Sequence, residues 1–164
     1  MESRSALSSV LAVVALASVA CGSSASSSVS GATSPTASPA ATGMTIAVAT
    51  DPKFGQILVD SKGITVYLFV ADTSTSSTCY TSCASIWPPV LTSGAPQAGT
   101  GADASKLGTT TRTDGKIEVT YAGHPLYYFF KDVAPGDAKG QAVNGFGALW
   151  WVMSPAGVSI TTKP

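Results

Sequence analysis

The chain contains little charge. Nine Lys plus Arg balance nine Asp plus Glu, and together these residues make up only 11% of 164 residues. A neutral chain without a basic cluster argues against nucleic-acid binding and against electrostatic attachment to a membrane surface. Low charge combined with many Ser, Thr and Gly residues is common among exported β proteins.

Residues that form familiar catalytic or metal-binding motifs are also scarce. His124 is the only histidine, so the chain cannot supply a pair of His ligands. It contains no Gly-x-Ser-x-Gly nucleophile elbow and no phosphate-binding loop. A Ser-His-Asp triad could be assembled on paper, but with this many Ser residues that inference has no force. These absences favour a protein that is not an enzyme.

The one long apolar run is short for a membrane span and lies at the extreme N-terminus. Residues 6–20 are almost wholly apolar or small, and they follow Arg4. A membrane-spanning helix needs roughly 20 apolar residues, so this run has the length of a signal-peptide core. We therefore predict that residues 1–20 are a signal peptide and that the remainder is exported.

A cysteine follows this run directly. Cys21 has Ala20 before it and Gly22 after it. Small residues around a single Cys at this place resemble the lipobox of bacterial lipoproteins, in which the Cys is lipidated, although Ser18 departs from the usual Leu or Val. The alternative is ordinary secretory cleavage that leaves Cys21 as a free thiol. Lipidation would anchor the protein to the bacterial cell membrane, with its domain facing outward or into the periplasm.

The next stretch lacks the material for a core. After Cys21, residues 22–43 are Ser, Ala, Thr, Gly and Pro with a single Val29, and they carry no charge. Such a segment cannot offset the entropy that ordering would cost. We predict a disordered tether over residues 21–43 and one folded domain over residues 44–164, which contains every Trp, Tyr and Phe of the chain.

The predicted domain repeats a pattern at an offset of 60 residues. Six identities share that offset: Tyr67/Tyr127, Phe69/Phe129, Asp72/Asp132, Ile57/Ile117, Val59/Val119 and Gly63/Gly123. Self-similarity of this kind indicates a tandem duplication. We place repeat one over about residues 44–92 and repeat two over about residues 108–161.

Both copies carry the pattern of strands and turns. Turn residues such as Asp60–Gly63 and Asp114–Gly115 separate short apolar stretches. In Tyr67–Phe69 and Tyr127–Phe129 both faces are apolar, which predicts central strands covered on both sides. The fold class is therefore mainly β, a small antiparallel β domain built from two tandem repeats with pseudo-twofold symmetry. A short helical turn is expected near Cys79–Trp87.

The repeated residues have a structural and a functional interpretation. The aromatic side chains are explained by core packing, since each contributes ~1.5–3 kcal/mol when buried. Asp72 and Asp132 fall just past strand ends, where Asp commonly accepts hydrogen bonds from nearby backbone N–H groups in a turn. The functional alternative is a pair of catalytic carboxylates in a wall-associated hydrolase.

Two segments carry a recognisable motif. Residues 67–72 are Tyr-Leu-Phe-Val-Ala-Asp and residues 127–132 are Tyr-Tyr-Phe-Phe-Lys-Asp. Together with Cys79…Cys83…Trp87-Pro88-Pro89 and Gly136-Asp137…Gly140-Gln141, they resemble bacterial lipoproteins described as a secreted repeat of unknown function, marked by Tyr-x-(Phe/Trp/Tyr)-x-x-Asp. The resemblance covers roughly residues 55–157, with Ala142 where a Gly is expected. It implies export, lipidation and a two-repeat domain, and it implies no activity.

The other two cysteines lie in the part predicted to be exported. In an oxidising compartment Cys79 and Cys83 are expected to form a disulfide. The alternative is a copper or thiol redox site, because Cys-x-x-x-Cys with a distant His resembles the copper site of Sco-type assembly proteins. His124 would then be a ligand, with Met44 and Met153 as further soft ligands. The chain lacks the βαβ pattern of that family's thioredoxin-like fold.

We therefore predict an exported, membrane-anchored lipoprotein of unknown activity that serves as a non-catalytic binding or interaction module at the cell envelope. Its expected partners are the membrane, through the lipid anchor, and an unknown envelope protein or small ligand, without nucleic acid and without a cofactor. The alternatives are the copper or redox protein and the hydrolase. Function is expected where the copies differ, in Cys79–Trp87 and Pro135–Trp150.

Overall fold

The computed structural model describes residues 43–164. Within them the chain forms nine strands and two short helical turns: β1 (Thr45–Asp51), β2 (Gly55–Asp60), β3 (Tyr67–Phe69), α1 (Ser82–Ile86), β4 (Gln97–Ala98), a 3-10 turn (Ala104–Lys106), β5 (Leu107–Thr111), β6 (Ile117–Tyr121), β7 (His124–Pro125), β8 (Asn144–Gly145) and β9 (Ala148–Val152). The predicted mainly β class is confirmed, and α1 lies where the helical turn was expected.

The predictions for the N-terminal part fall outside the described residues. These are the signal peptide, lipidation at Cys21, and the tether except for Gly43. Among residues 43–164, none of the helices has the length and apolar character needed to cross a bilayer. The described residues, 43–164, belong to one compact unit.

A hairpin opens each repeat. β1 pairs antiparallel with β2, and β5 pairs antiparallel with β6. The carboxylate of Asp51 closes the first turn by accepting the N–H groups of Lys53 and Phe54, at 2.7 and 2.9 Å. Gly115 takes a φ of 79° in the second turn, a conformation that glycine adopts without the steric cost of a Cβ. β4 adds to β1 as a short parallel strand.

The two repeats join at their motif tyrosines. Tyr67 and Tyr127 lie opposite each other and exchange both main-chain hydrogen bonds, at 2.8 and 3.0 Å. A reciprocal exchange between equivalent residues is what a twofold axis between them produces. The other edge of β3 pairs with β9, so Tyr67–Phe69 is central, as its two apolar faces predicted. The prediction of a second central strand at Tyr127–Phe129 is wrong, because only Tyr127 pairs there, through isolated bridges to Tyr67 and Pro89.

The turn that follows β2 in repeat one is one residue longer than the turn that follows β6 in repeat two. Val59 lies opposite Thr65 in repeat one, whereas Thr120 lies opposite Pro125 in repeat two. The offset between the copies is therefore 61 in β2 and β6 but 60 after the turn. The additional residue lies in the turn between β2 and β3, next to Gly63.

This register changes which residues are equivalent. Ile57 is buried, whereas Ile117 is 38% exposed. Val59 and Val119 belong to different core clusters. A shift of one residue moves a strand side chain to the opposite face, so the predicted equivalence of these two pairs is wrong. The equivalence of the Tyr, Phe, Asp and Gly pairs is unaffected, because they follow the inserted residue.

Two hydrophobic clusters fill the domain, one on each face of the central strands. Tyr67 and Phe69 belong to the first cluster, and Leu68 belongs to the second. In the first cluster Trp87 and Trp150 stack with ring centroids 4.0 Å apart and planes 3° apart. Parallel stacking of two indoles over the junction buries a large apolar area at the pseudo-twofold axis.

Replacing Gly140 tests how tightly this aromatic cluster is packed. A Cβ atom at Gly140 would lie 2.8 Å from a ring carbon of Trp87 and 2.9 Å from one of Tyr67. We expect Gly140→Ala to lower the free energy of unfolding by about 1–3 kcal/mol, measured by urea denaturation, because overpacking forces the rings apart. Gly145→Ala is the matched control, since its Cβ meets nothing closer than 3.9 Å. Equal effects of the two substitutions would contradict the tight packing.

Candidate functional site

The motif side chains of the two repeats cross at the junction. The Tyr67 hydroxyl donates a hydrogen bond to the Asp132 carboxylate, and the Tyr127 hydroxyl donates to Asp72. Both tyrosines are fully buried, and the two aspartates are 2% and 8% exposed. Burial raises the pKa of each tyrosine, because a phenolate without water is unfavourable. The hydroxyls therefore stay protonated and act as donors.

Each aspartate also closes the loop that follows it. The other oxygen of Asp72 accepts the N–H of Thr78 at 2.7 Å and its hydroxyl at 2.6 Å. The other oxygen of Asp132 accepts the N–H of Lys139 at 2.9 Å. These bonds reach six and seven residues along the chain, further than the local turn that the sequence predicted. Both oxygens of each carboxylate are thus used in structural hydrogen bonds.

A buried ion pair, not predicted from the sequence, ties the first connecting loop to repeat two. Arg112 donates to Glu118 at 2.7 Å and to the Ser77 hydroxyl at 2.8 Å. It also donates to the main-chain carbonyl of Cys79 at 2.7 Å. The Ser77 oxygen lies 2.7 Å from the Tyr127 hydroxyl, so the ion pair and the motif residues form one polar network.

A sequence signal for this pair exists. Glu118 is the one charged residue of β6, and it lies opposite Thr110 in the β5–β6 hairpin. Arg112 is two residues beyond Thr110, so its side chain points to the same face. The residue equivalent to Glu118 in repeat one is Ile57, given the offset of 61, so the ion pair belongs to one half only.

Glu118 is held in an unusual environment. Its side chain is fully buried, and one of its carboxylate oxygens has no hydrogen-bond partner. Burial raises the pKa of Glu118 to about 7, against the opposing effect of the Arg112 guanidinium. The carboxyl group therefore takes up a proton more readily in the folded protein than in the unfolded chain.

The two cysteines lie together inside the first connecting loop. Cys79 and Cys83 are buried, and their sulfur atoms lie at disulfide-bonding distance, with Cα atoms 5.2 Å apart. α1 begins at Ser82, inside this short loop. The cross-link would hold the carbonyl of Cys79 in place as an acceptor for Arg112.

His124 and Asp72 are brought to one cavity. They line a space of about 270 Å³ together with Leu68 and Val158. His124 is half-buried, and its Nδ1 atom is buried without a hydrogen-bond partner. Asp72 is already bound by donors from Thr78 and Tyr127, so the cavity contains no unengaged carboxylate from the motif.

Asp132 lines a second cavity, of about 400 Å³, with Ile64 and Tyr128. Each of these three residues is related by the offset of 60 to a residue of the first cavity, so the pseudo-twofold axis relates the two cavities. Their chemistry differs, because the second contains Asp60, whose carboxylate accepts the Tyr128 hydroxyl at 3.1 Å. The two motif aspartates do not share a cavity.

The residues of the alternative copper site are not assembled. Within residues 43–164, no group of three or more His, Cys, Asp or Glu side chains is placed to hold a metal ion. His124 therefore does not complete a ligand set with Cys79 and Cys83. Of the two methionines, Met153 is fully buried and Met44 lines the cavity that contains Asp132. The copper alternative stays a prediction without geometric support.

Comparison with known proteins identifies a family but indicates no activity. A family model described as a secreted repeat of unknown function matches residues 48–91 and 108–154, one match in each repeat. The two matches cover more than half of the chain. No curated protein matches the chain, and no solved structure matches it.

The raised pKa of Glu118 predicts a pH dependence of stability. A carboxyl group whose pKa is higher in the folded state stabilises the fold below its unfolded pKa, ~4.3, and this contribution is lost as pH rises to about 7. We expect the free energy of unfolding of the wild type to fall between pH 4.5 and 7. Glu118→Gln should flatten this part of the curve in urea denaturation. Parallel curves for the two proteins would show that Glu118 does not titrate in this range.

Proposed function

Because this chain belongs to the family of secreted repeats of unknown function, we propose that it is an exported, lipid-anchored module that binds a partner at the cell envelope without catalysing a reaction on it. The family description supports export. The Cys21 anchor rests on the lipobox-like sequence around that residue. The partner is an envelope protein or a small ligand, and the neutral charge of the chain makes nucleic acid unsuitable.

The proposal that the protein is not catalytic rests on one observation: both carboxylate oxygens of Asp72 and of Asp132 accept hydrogen bonds that hold the fold together. A general base or a carboxylate nucleophile must reach the reacting atoms of a substrate. Asp72 and Asp132 are instead engaged by donors from the opposite repeat and from their own loops. They line different cavities, so they do not form the paired carboxylates of a hydrolase.

One observation favours the hydrolase as a second candidate. Asp72 shares its cavity with His124, and an Asp–His pair in a cavity is a common catalytic arrangement. The hydrogen bonds that Asp72 accepts from Thr78 and Tyr127 argue for a structural role instead. Replacement of Asp72 separates the two roles.

We expect Asp72→Asn to lower the free energy of unfolding by about 1–3 kcal/mol, because an amide NH2 group would face a hydrogen-bond donor in a buried site. Wild-type protein should co-sediment with isolated envelope fractions without releasing soluble amines, sugars or phosphate. The variant should co-sediment equally below its unfolding temperature. Asp103→Asn is the control, because that carboxylate is exposed and its replacement should change stability little.

The opposite pattern would establish the hydrolase. In that case the wild type would release soluble products, and Asp72→Asn would stop the release while its unfolding temperature stayed that of the wild type.

Lipidation of Cys21 leads to a second testable result. Cys21→Ala should abolish incorporation of a palmitate analogue and should move the protein from the membrane fraction to the soluble exported fraction, because acyl chains provide the attachment. Ser23→Ala is the control and should behave as wild type. Membrane retention of the Cys21→Ala protein without label would mean that the attachment is not a lipid on this residue.

A further inference from the structure

The hairpin formed by β8 and β9 presents an exposed aromatic side chain on a strained backbone. Phe146 and Gly147 link the two strands, with φ values of 59° and 93°. Positive φ at both central residues is the pattern of a type I′ turn, in which Asn or Gly is strongly preferred at the first position. A phenylalanine there is sterically unfavourable, yet its side chain is 49% exposed and so gains little from core packing.

Other exposed apolar side chains adjoin this turn. Leu149 is 37% exposed and accepts a main-chain hydrogen bond from Val70, which is 48% exposed. Val70 and Val158 line the same cavity, and Val158 is 60% exposed. We refer to these four residues, Val70, Phe146, Leu149 and Val158, as the apolar rim. Exposed apolar side chains that are grouped on neighbouring segments are typical of interaction sites.

The apolar rim lies in an uncharged part of the chain. No Asp, Glu, Lys or Arg occurs between Lys139 and Lys163, a stretch that contributes three of the four rim residues. Protein interfaces commonly combine an apolar centre with a polar rim that fixes the partner's orientation. A turn that projects one aromatic side chain from a segment of the sequence without charge suits the lipid interface, where apolar side chains are buried and charges are costly.

The proposed anchor would keep this surface within reach of a bilayer. Residues 22–42 separate Cys21 from the described domain, and covalent geometry allows them to span at most about 70 Å. That exceeds the diameter of a domain of this size, ~35 Å, so any face of the domain can approach the membrane.

From these observations we propose that the apolar rim, led by Phe146, inserts into the interfacial region of the lipid bilayer and sets the orientation of the tethered domain on the membrane. This inference deepens the proposed function, because it names the membrane surface as a direct partner of the domain in addition to the lipid anchor. The strained backbone at Phe146 is then retained because the aromatic side chain is needed for contact with lipid.

The test uses residues 37–164, which include the whole described domain and lack the predicted signal peptide and anchor. Sedimentation with phosphatidylcholine vesicles should show binding that changes little between 50 and 500 mM NaCl, because the rim carries no charge. Phe146→Asn should weaken vesicle partition by about tenfold or more, since it removes a buried aromatic side chain from the lipid. The same substitution should leave the thermal unfolding midpoint unchanged or raise it by a few degrees, since Asn suits a positive φ.

Phe130→Asn is the matched control. Phe130 is 47% exposed, a fraction similar to that of Phe146, but Lys131 lies over its ring at 5.4 Å and Asp132 follows in the chain. Its replacement should leave vesicle partition unchanged. Phe146→Trp keeps the aromatic side chain and should bind as wild type, and brominated lipid should quench its emission more than it quenches that of the three buried native Trp residues in the wild type.

Several results would overturn the proposal: no vesicle binding by the wild type, equal loss for the Phe130 and Phe146 variants, or binding abolished by salt. Quenching of Phe146→Trp no greater than that of the wild type would do so even if Phe146→Asn were destabilised. None of these outcomes affects the Cys21→Ala result, so the anchor and the rim are tested separately.

Discussion

The crossed hydrogen bonds between the motif tyrosines and aspartates are the constraint on which the rest of the domain depends. A buried carboxylate needs donors, and each aspartate obtains one from the tyrosine of the other repeat. Neither repeat can therefore satisfy its own buried polar groups alone. The main-chain exchange between Tyr67 and Tyr127 places these groups, and the stacked indoles of Trp87 and Trp150 pack against the same junction. The duplication is in this sense one cooperative unit.

With the junction held symmetric, the two connecting loops are free to differ. The first contains the Cys79–Cys83 pair and is fastened to repeat two by the buried Arg112–Glu118 ion pair. A pair buried to this degree is a weak source of stability, but removal of one partner would leave an uncompensated charge. The second loop packs Gly140 against the aromatic cluster and then extends to the exposed Phe146. The first connecting loop is thus held against the domain by buried contacts, whereas the second exposes an apolar side chain to solvent.

The fold was predictable to the level of class, repeat and the central strand Tyr67–Phe69, because apolar residues on both faces of a short strand have one common explanation. The register of the hairpins was not predictable from the identities. Ile57/Ile117 and Val59/Val119 match at an offset of 60. Because the turn between β2 and β3 contains one additional residue, the two members of each pair lie on opposite faces of their strands. Sequence identity does not record where an insertion lies when flanking residues are interchangeable apolar types.

The candidate site was also predictable from the sequence only in part. The sequence by itself determined that the chain is a duplicated β domain of the secreted-repeat family, since pattern, spacing and motif are local properties of the chain. Only the tertiary structure decided that Asp72 and Asp132 serve opposite tyrosines and line separate cavities, and that Glu118 is buried beside Arg112. Those facts depend on which residues of one repeat meet the other across a pseudo-twofold axis. Contacts between residues more than 50 positions apart are set by packing of the whole domain.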